Sequence, residues 1–181
     1  MAEVDDLKGN AAGERVALPP GVEEVFGEFR TCEFTTLGRD GTPITWPLVA
    51  LWQPGEGRFV LTTSIGLPQK AFNIRRDPRV SLLFSDPTAS GLGNPPAVLV
   101  QGEAEAPDRI ETSPNRLREY WRRLFEIQPA GKVYGANRLT RYLMDWYYMR
   151  LYISVRPRRI LFWPSGDFSR APLEAEVDRV A

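Results

Sequence analysis

The stretch that decides the fold is "TTSIGLPQKAFNIRRDPRVSLLF", residues 62–84. Its first residues end a β-prone run, 58–64, and a short loop leads into a helix that Pro78 must end. A second β-prone run, 79–84, follows directly. This order predicts a strand–loop–helix corner followed by a further strand.

The corner carries side chains that suit an oxyanion. Thr62, Thr63 and Ser64 end the strand, and Lys70 lies in the first turn of the helix. A phosphate is bound by hydroxyl or backbone N–H donors, a cation and the positive end of a helix. The same pattern also suits an ordinary loop with a solvated lysine, because hydroxyl-rich loops are common.

The segments on either side of the corner are also β-prone. Residues 31–52 predict a hairpin with Asp-Gly at its tip, and residues 98–106 predict a strand. Residues 147–156 alternate between apolar and polar side chains, and residues 157–164 form a last apolar run. Six or seven short strands with a few helices predict a mainly β fold, a small barrel with helices packed at its side.

The domain organisation follows from where polar segments and helical patterns fall. We expect a flexible tail over residues 1–18, one domain over residues 19–165 and a loose tail over residues 166–181. Within the domain, residues 113–148 have a helical pattern and form an insertion between strands. No linker-like stretch divides the chain into two domains.

The overall charge limits the classes of partner. The chain has 181 residues, with 23 lysines and arginines against 23 aspartates and glutamates. It therefore lacks the global basic field that is typical of nucleic-acid binders. No apolar run reaches the roughly 20 residues of a membrane-spanning helix, and the N-terminus has no apolar signal core. We expect a cytoplasmic protein with no nucleic acid and no membrane as partner.

The content of histidine and cysteine limits the chemistry. The sequence has no histidine and one cysteine, Cys32. This excludes histidine-dependent catalytic triads, an internal disulfide and the usual ligand sets for zinc. We expect Cys32 to be a small buried residue, and no metal site. If the protein is an enzyme, a bound cofactor is the expected source of its chemistry, with no catalytic side chain.

Taken together, these segments resemble the FMN-binding split β-barrel superfamily that includes pyridoxamine 5′-phosphate oxidase. The resemblance runs from about Val22 to Pro164. The segments that carry it are "DGTPITWPLVALW" (40–52), "RFVLTTS" (58–64), "KAFNIRRDPRVSLLF" (70–84), "VQGEAE" (100–105) and "PRRILFW" (157–163). Of these, the pattern "K…N.RRDPRVSLL" is the most specific.

The resemblance implies a split β-barrel that binds FMN between the two subunits of a homodimer. It assigns the flavin ring to the strand 46–51. The residues that it implies for cofactor binding are Trp46, Pro47, Leu48, Val49, Thr62, Thr63, Ser64, Gln69, Lys70 and Trp163. Of these, the threonines would face the ribityl chain and phosphate, Lys70 would bind the phosphate, and Trp163 would pack beside the ring.

The C-terminal segment "WPSGDFSRAP" departs from the pattern of the oxidase, because it lacks the histidine that serves the pyridoxal substrate. The resemblance therefore implies an FMN-dependent oxidoreductase acting on a small organic substrate, and not vitamin B6 oxidation. Two alternatives stay open: a deazaflavin-dependent reductase and a flavin-binding module without turnover. Arg75, Arg76 and Arg79 flank the corner, where they would hold an anionic cofactor tail or pair with acidic residues.

Overall fold

The fold is described by a computed structural model over residues 17–85, 95–112, 118–127 and 149–177. Its elements, in chain order, are α1 (Val22–Glu28), β1 (Cys32–Leu37), β2 (Pro43–Leu48), β3 (Leu51–Gln53), β4 (Arg58–Ser64), α2 (Gln69–Arg76), β5 (Arg79–Phe84), β6 (Ala97–Glu105), β7 (Ile110–Glu111), α3 (Arg118–Ile127), β8 (Arg150–Trp163) and β9 (Leu173–Glu176).

All the described strands belong to one antiparallel sheet of nine strands, with the order β2-β1-β5-β6-β8-β4-β3. The short strands β7 and β9 pair with β8 beside this path. Only Val49 and Ala50 separate β2 from β3 in the chain, although these two strands lie at opposite ends of the order. The sheet must therefore curl until its ends approach each other. The prediction of a mainly β, split-barrel fold is confirmed.

Strand β8 shows where the predicted strand boundaries were wrong. Residues 147–156 and 157–164 were expected to form two strands, but Arg150–Trp163 is one continuous strand. Its register with β6 shifts, because Gln101 pairs with Arg159 while Gly102 pairs with Pro157. A bulge of this kind accommodates a proline, which donates no backbone hydrogen bond. The proline therefore bends the strand without ending it.

Gly102 is required at this bulge by the close approach of the neighbouring backbone. A Cβ atom added at Gly102 would lie 2.3 Å from the carbonyl oxygen of Arg156. No side chain fits at that distance.

Two further differences concern strand number and the C-terminus. The run expected as one strand of the first hairpin divides at Val49 and Ala50 into β2 and β3.

Residues 166–181 were expected to be a loose tail, but Leu173–Glu176 pairs with β8 as β9. Arg159 of β8 also bonds Glu174 through two nitrogens, one of them at 2.9 Å. The strand is only four residues long and is built largely from glutamate and alanine, which are poor strand formers, so its sequence alone did not indicate a strand.

The interior of the barrel is apolar and rich in phenylalanine. Phe26 of α1 packs against Phe59 and Phe84, with ring centroids 4.7 and 5.1 Å apart. Cys32 is fully buried in the same core, and burial raises the pKa of its thiol. The thiol therefore stays protonated and apolar in character, as expected from the sequence.

Helix α3 covers the opposite, outer face of β4. Its Tyr120, Trp121 and Leu124 are buried and form a second cluster with Val49 and Val60. The helix lies within the block 113–148 that was expected to be helical. Residues 113–117 and 128–148 of that block, and residues 1–16 of the expected N-terminal tail, lie outside the described residues.

Candidate functional site

The corner has the form that the sequence predicts. Strand β4 ends at Ser64, and a turn closed by the bond from the Leu67 N–H to the Ser64 carbonyl (3.0 Å) leads into α2. The helix ends at Arg76, where the N–H of Asp77 still bonds the carbonyl of Asn73 at 2.8 Å. Pro78 then prevents its continuation. Three short elements thus bring the end of a strand and the start of a helix together.

The hydroxyl residues at the end of β4 face two sides of the sheet, since successive side chains of a strand alternate. Thr62 faces α3, where its hydroxyl donates to the Tyr120 hydroxyl at 3.1 Å. Thr63 lies on the other face and donates to the carbonyl of Leu67 at 2.8 Å. The Ser64 hydroxyl accepts the N–H of Gly66 at 3.2 Å. Each hydroxyl retains capacity for another hydrogen bond.

Lys70 is the most unusual residue of the corner, because it is a lysine with only 6% of its surface exposed. Its ammonium group lies over the ring of Trp46, 4.4 Å from the centroid. No aspartate or glutamate among the described residues forms a salt bridge with it. Desolvation lowers the pKa of Lys70. A buried cation of this kind gains from an anionic partner.

A hydrogen-bond network fixes α2 against β1. Gln69 donates to the side-chain oxygen of Asn73 at 2.8 Å, and Asn73 donates to the hydroxyl of Thr36 at 2.9 Å. Asn73 and Thr36 are both fully buried. Gln69, a predicted cofactor residue, therefore has a structural partner on its own helix. The network holds the helix that carries Lys70.

The three arginines near the corner are all engaged within the protein. Arg75 donates to the carbonyls of Ala106 and Pro107 at 2.7 and 2.9 Å. Arg76 donates to the carbonyl of Leu37 and to Asn73. Arg79 pairs with Asp77, whose pKa falls to about 2 because it accepts the Arg79 hydrogen bonds. The sequence left two roles open for these arginines, binding of an anionic cofactor tail or pairing within the protein. The structure shows pairing within the protein.

The predicted residues of the strand 46–49 lie in different surroundings. Trp46 is half-buried and contacts Lys70, and Leu48 packs against the main core. Pro47 is exposed. Val49 is 4% exposed beneath α3. The structure thus joins Trp46 with Lys70, but the four residues do not share one face.

Trp163 lies at the far end of β8 from the corner. Ser64 pairs with Arg150 at the start of β8, whereas Trp163 is the last residue of the strand. This separation corresponds to about 40 Å along an extended strand. The indole N–H of Trp163 donates to the carbonyl of Arg170 at 3.0 Å, and its ring lies 5.0 Å from that of Phe168. Trp163 therefore contacts the turn that follows β8.

Two residues near the corner were missed by the sequence analysis. Tyr120 is buried against Thr62, and burial raises the pKa of its phenol to about 12. Arg150 pairs with Ser64 in the β4–β8 register, and its guanidinium lies 5.7 Å from the ring centroid of Trp121. The alternation of residues 149–156 places Arg150 on a polar face. Only the strand pairing shows that this face carries Ser64.

These groups fit a phosphate better than they fit a metal ion. The corner offers a buried cation at Lys70 and the start of α2, which suit an anion, with Thr62 and Thr63 facing opposite sides of the strand beside it. In the described part of the chain, no group of three or more aspartate, glutamate or cysteine residues is placed to hold a metal ion.

None of the helices described there is long and apolar enough to cross a membrane.

Solved structures with the same fold come from proteins of several kinds. An F420 reductase is 22% identical, with 79% of this chain and 98% of that chain covered and a TM-score of 0.53. A heme binding protein from Mycobacterium smegmatis is 19% identical over 89% of this chain and 60% of that one, with a TM-score of 0.55. A protein related to general stress protein 26, from Clostridium acetobutylicum, is 12% identical over 85% and 90% of the two chains, with a TM-score of 0.54. At such identities the likeness shows the fold alone.

The sequence itself identifies the family. No curated protein matches the sequence. The family model described as pyridoxamine 5′-phosphate oxidase matches residues 18–163, from the segment before α1 to the end of β8. This range includes the corner, the bulge at Gly102 and Trp163. The chain therefore belongs to the pyridoxamine 5′-phosphate oxidase family.

Proposed function

We propose that the protein is a cytoplasmic, FMN-dependent oxidoreductase that acts on a small organic substrate. The observation that carries the proposal is Lys70, a buried lysine without a carboxylate partner in the described residues, beside the ring of Trp46. Burial of a lone ammonium group is unfavourable, and desolvation accordingly lowers the pKa of Lys70. A phosphate at this position would restore the charge balance.

The residues of the corner have distinct roles in this proposal. Lys70 would bind the phosphate, and Thr63, Ser64 and Gln69 would supply hydrogen bonds around it. The strand from Trp46 to Val49 would border the ring, with Thr62 near the ribityl chain. Bound FMN supplies hydride and electron transfer, which no side chain of this chain provides. The protein's part is to hold the cofactor, exclude water and orient the substrate.

The bonds that the three arginines near the corner make within the protein favour FMN over a deazaflavin as the cofactor. A deazaflavin such as F420 has a long polyanionic tail, which calls for several available cations. Arg75, Arg76 and Arg79 are bound to carbonyls, to Asn73 and to Asp77. They would have to exchange these partners to bind such a tail. A deazaflavin-dependent reductase remains the alternative, supported by the fold shared with an F420 reductase.

A role without turnover is the second alternative, since the fold is shared with a heme binding protein. Heme iron is most often held by a histidine, and this sequence has none. Cys32, which carries the one thiol of the sequence, is fully buried in the core, where burial raises its pKa. These features favour a flavin over heme as the bound group.

We propose a homodimer with the cofactor at the subunit interface. The position of Trp163 supports this arrangement, because within one chain it lies at the opposite end of β8 from Ser64. The partner subunit would then supply the tryptophan that packs beside the flavin ring. Family membership supports the same arrangement.

The decisive test compares FMN with riboflavin, which lacks the phosphate. We expect micromolar or tighter binding of FMN, with the visible absorption of a bound flavin, and weaker binding of riboflavin. In Lys70→Met the two affinities should become similar. Equal affinity in the unmodified protein would remove the role of Lys70, and failure to bind FMN, riboflavin or F420 would remove the proposed function. Reduction of the bound cofactor by NADH or NADPH, followed by reoxidation, would distinguish an enzyme from a carrier.

A further inference from the structure

A cavity of about 370 Å³ lies between α1, β3 and α3, away from the Lys70 corner. Its volume is within the range of small-molecule sites, roughly 300–1,000 Å³. None of the side chains proposed to bind FMN lines it. The proposed function therefore leaves this cavity unexplained.

The apolar wall of the cavity is aromatic and rigid. Trp52 of β3 packs against Phe26 and Phe59, with ring centroids 5.5 and 4.7 Å apart, and this packing fixes its orientation. Its indole N–H donates to a carboxylate oxygen of Glu23 at 3.2 Å. Trp52 is only partly buried, so that part of the ring remains available on the cavity side. Among aromatic side chains, tryptophan binds cations best.

The charged side chains around the cavity have a negative balance. Three carboxylates line it, from Glu23, Glu119 and Glu126, against two guanidinium groups, from Arg122 and Arg123. Arg123 donates from one terminal nitrogen, Nη2, to the carbonyls of Gly27 and Phe29 at the end of α1. Arg122 has a side chain 71% exposed and pairs loosely with Glu119, at 3.8 Å.

These contacts also explain why the cavity persists. Arg123 joins α3 to the C-terminal end of α1, where carbonyl groups have no partner within the helix. The bond from Trp52 to Glu23 joins β3 to the other end of α1. These bonds thus link the three elements that line the open cleft.

We infer that this cavity is a second ligand site, which takes a small planar organic cation such as an aromatic amine. The ring of the ligand packs on Trp52, and its ammonium group pairs with a carboxylate that α3 contributes to the lining, from Glu119 or Glu126. Cation–π attraction and charge complementarity both favour a cation over a neutral or anionic molecule of the same size. Lys70, Trp46 and the hydroxyl residues of the corner do not line the cavity, although Ala50 and Leu51, at the end of the strand assigned to the flavin ring, do.

The test uses three probes of similar size: phenethylamine as the cation, phenethyl alcohol as the neutral molecule and hydrocinnamate as the anion. Their affinities for the full-length protein are measured by calorimetry, and the indole N–H resonance of Trp52 is followed by NMR, assigned by its loss in Trp52→Phe. We expect the amine to bind best and to shift this resonance. Equal affinities, a preference for the anion or an unshifted Trp52 resonance would overturn the inference.

Variants separate binding at this site from binding elsewhere. The double variant Glu119→Gln/Glu126→Gln changes two exposed residues and should weaken binding of the amine about threefold to tenfold. Glu105→Gln, an exposed glutamate on β6, is its control and should leave the affinity unchanged. Trp52→Leu should weaken binding at least about fivefold, with Phe168→Leu, at an exposed aromatic residue outside the cavity, as its control. Unchanged affinity in the double variant and in Trp52→Leu would place the amine at another site and overturn the inference.

Discussion

The ammonium nitrogen of Lys70 lies 4.4 Å from the centroid of the Trp46 ring. A cation–π contact of this kind offsets part of the cost of burying the ammonium group, but it does not neutralise the charge. Trp46 and Lys70 come from β2 and α2, two elements separated by 20 residues in the chain. Their contact shows that folding alone builds a desolvated positive site at this end of the barrel.

Replacement of Lys70 by methionine should separate binding from stability. The free energy of unfolding of the cofactor-free protein should stay the same or increase, because a desolvated charge is removed. The affinity for FMN should fall about tenfold to a hundredfold, since a charge-assisted contact is lost. Chemical denaturation and FMN titration measure the two effects. Arg75→Met is the control, because Arg75 is bound to backbone carbonyls, and its FMN affinity should change little.

Tyr120→Phe should cost about 1 kcal/mol of stability, because it removes the hydrogen bond to the buried Thr62. The stability that Tyr120 contributes should also depend on pH. Burial raises its pKa from 10.0 to about 12 in the folded protein, so the folded state holds the phenolic proton more tightly than the unfolded state. This contribution is complete below the unfolded value and is lost as the pH rises between the two values.

Denaturation of the unmodified protein and of Tyr120→Phe at a series of alkaline pH values measures this difference. The stability advantage of the unmodified protein should shrink as the pH rises above 10.0 and should be lost before the pH reaches about 12. A difference that is independent of pH would show that the Tyr120 phenol is accessible to water in the folded protein.

Gly102→Ala should destabilise the fold by about 1–3 kcal/mol, as overpacked substitutions do. The added methyl group would meet the carbonyl oxygen of Arg156 at 2.3 Å, and that oxygen belongs to the backbone of β8. Thermal unfolding measures the loss. Gly55→Ala is the matched control, because no atom lies within 4 Å of its added Cβ. A melting temperature of Gly102→Ala equal to that of the control would mean that the bulge yields without strain.

Trp163→Leu tests whether this residue contacts a flavin. Loss of its packing on Phe168 should reduce stability by roughly 1–4 kcal/mol whether or not a flavin binds there. Only contact with the ring predicts that the bound FMN becomes brighter, since a nearby tryptophan quenches flavin emission by electron transfer. The control is Trp52→Leu. In this variant the emission of bound FMN should remain as quenched as in the unmodified protein. Unaltered emission in Trp163→Leu would assign the residue to packing of the C-terminal turn alone.

The oligomeric state provides a separate test of the proposed site. If Trp163 reaches the corner of the partner subunit, the FMN-bound protein should have twice the mass of one 181-residue chain. Light scattering at micromolar concentration measures this mass. A monomer that binds FMN at micromolar concentration would show that one chain holds the cofactor without a second subunit.

Much of the corner was predictable because its determinants are local. The proline at position 78 ends α2, and the apolar run 79–84 forms β5, so that the strand–loop–helix order follows from the sequence. The partners of its side chains were not predictable. That Thr62 meets Tyr120 depends on where α3 docks, and that Ser64 lies opposite Arg150 depends on the pairing of distant strands. The unbroken strand through Pro157 likewise depends on a glycine in β6.

The long strand β8 has a consequence for synthesis of the protein. It lies between β6 and β4 in the sheet order, and it follows both of them in the chain. Until it emerges from the ribosome, the nascent chain has two separate groups of strands, β2-β1-β5-β6 and β4-β3, with unpaired edges facing each other. Such edges invite pairing with other chains, and contacts between residues so distant in sequence form slowly. Pairing of β8 with both β6 and β4 is therefore the step that closes this barrel, and the two groups of strands stay open to other chains until it occurs.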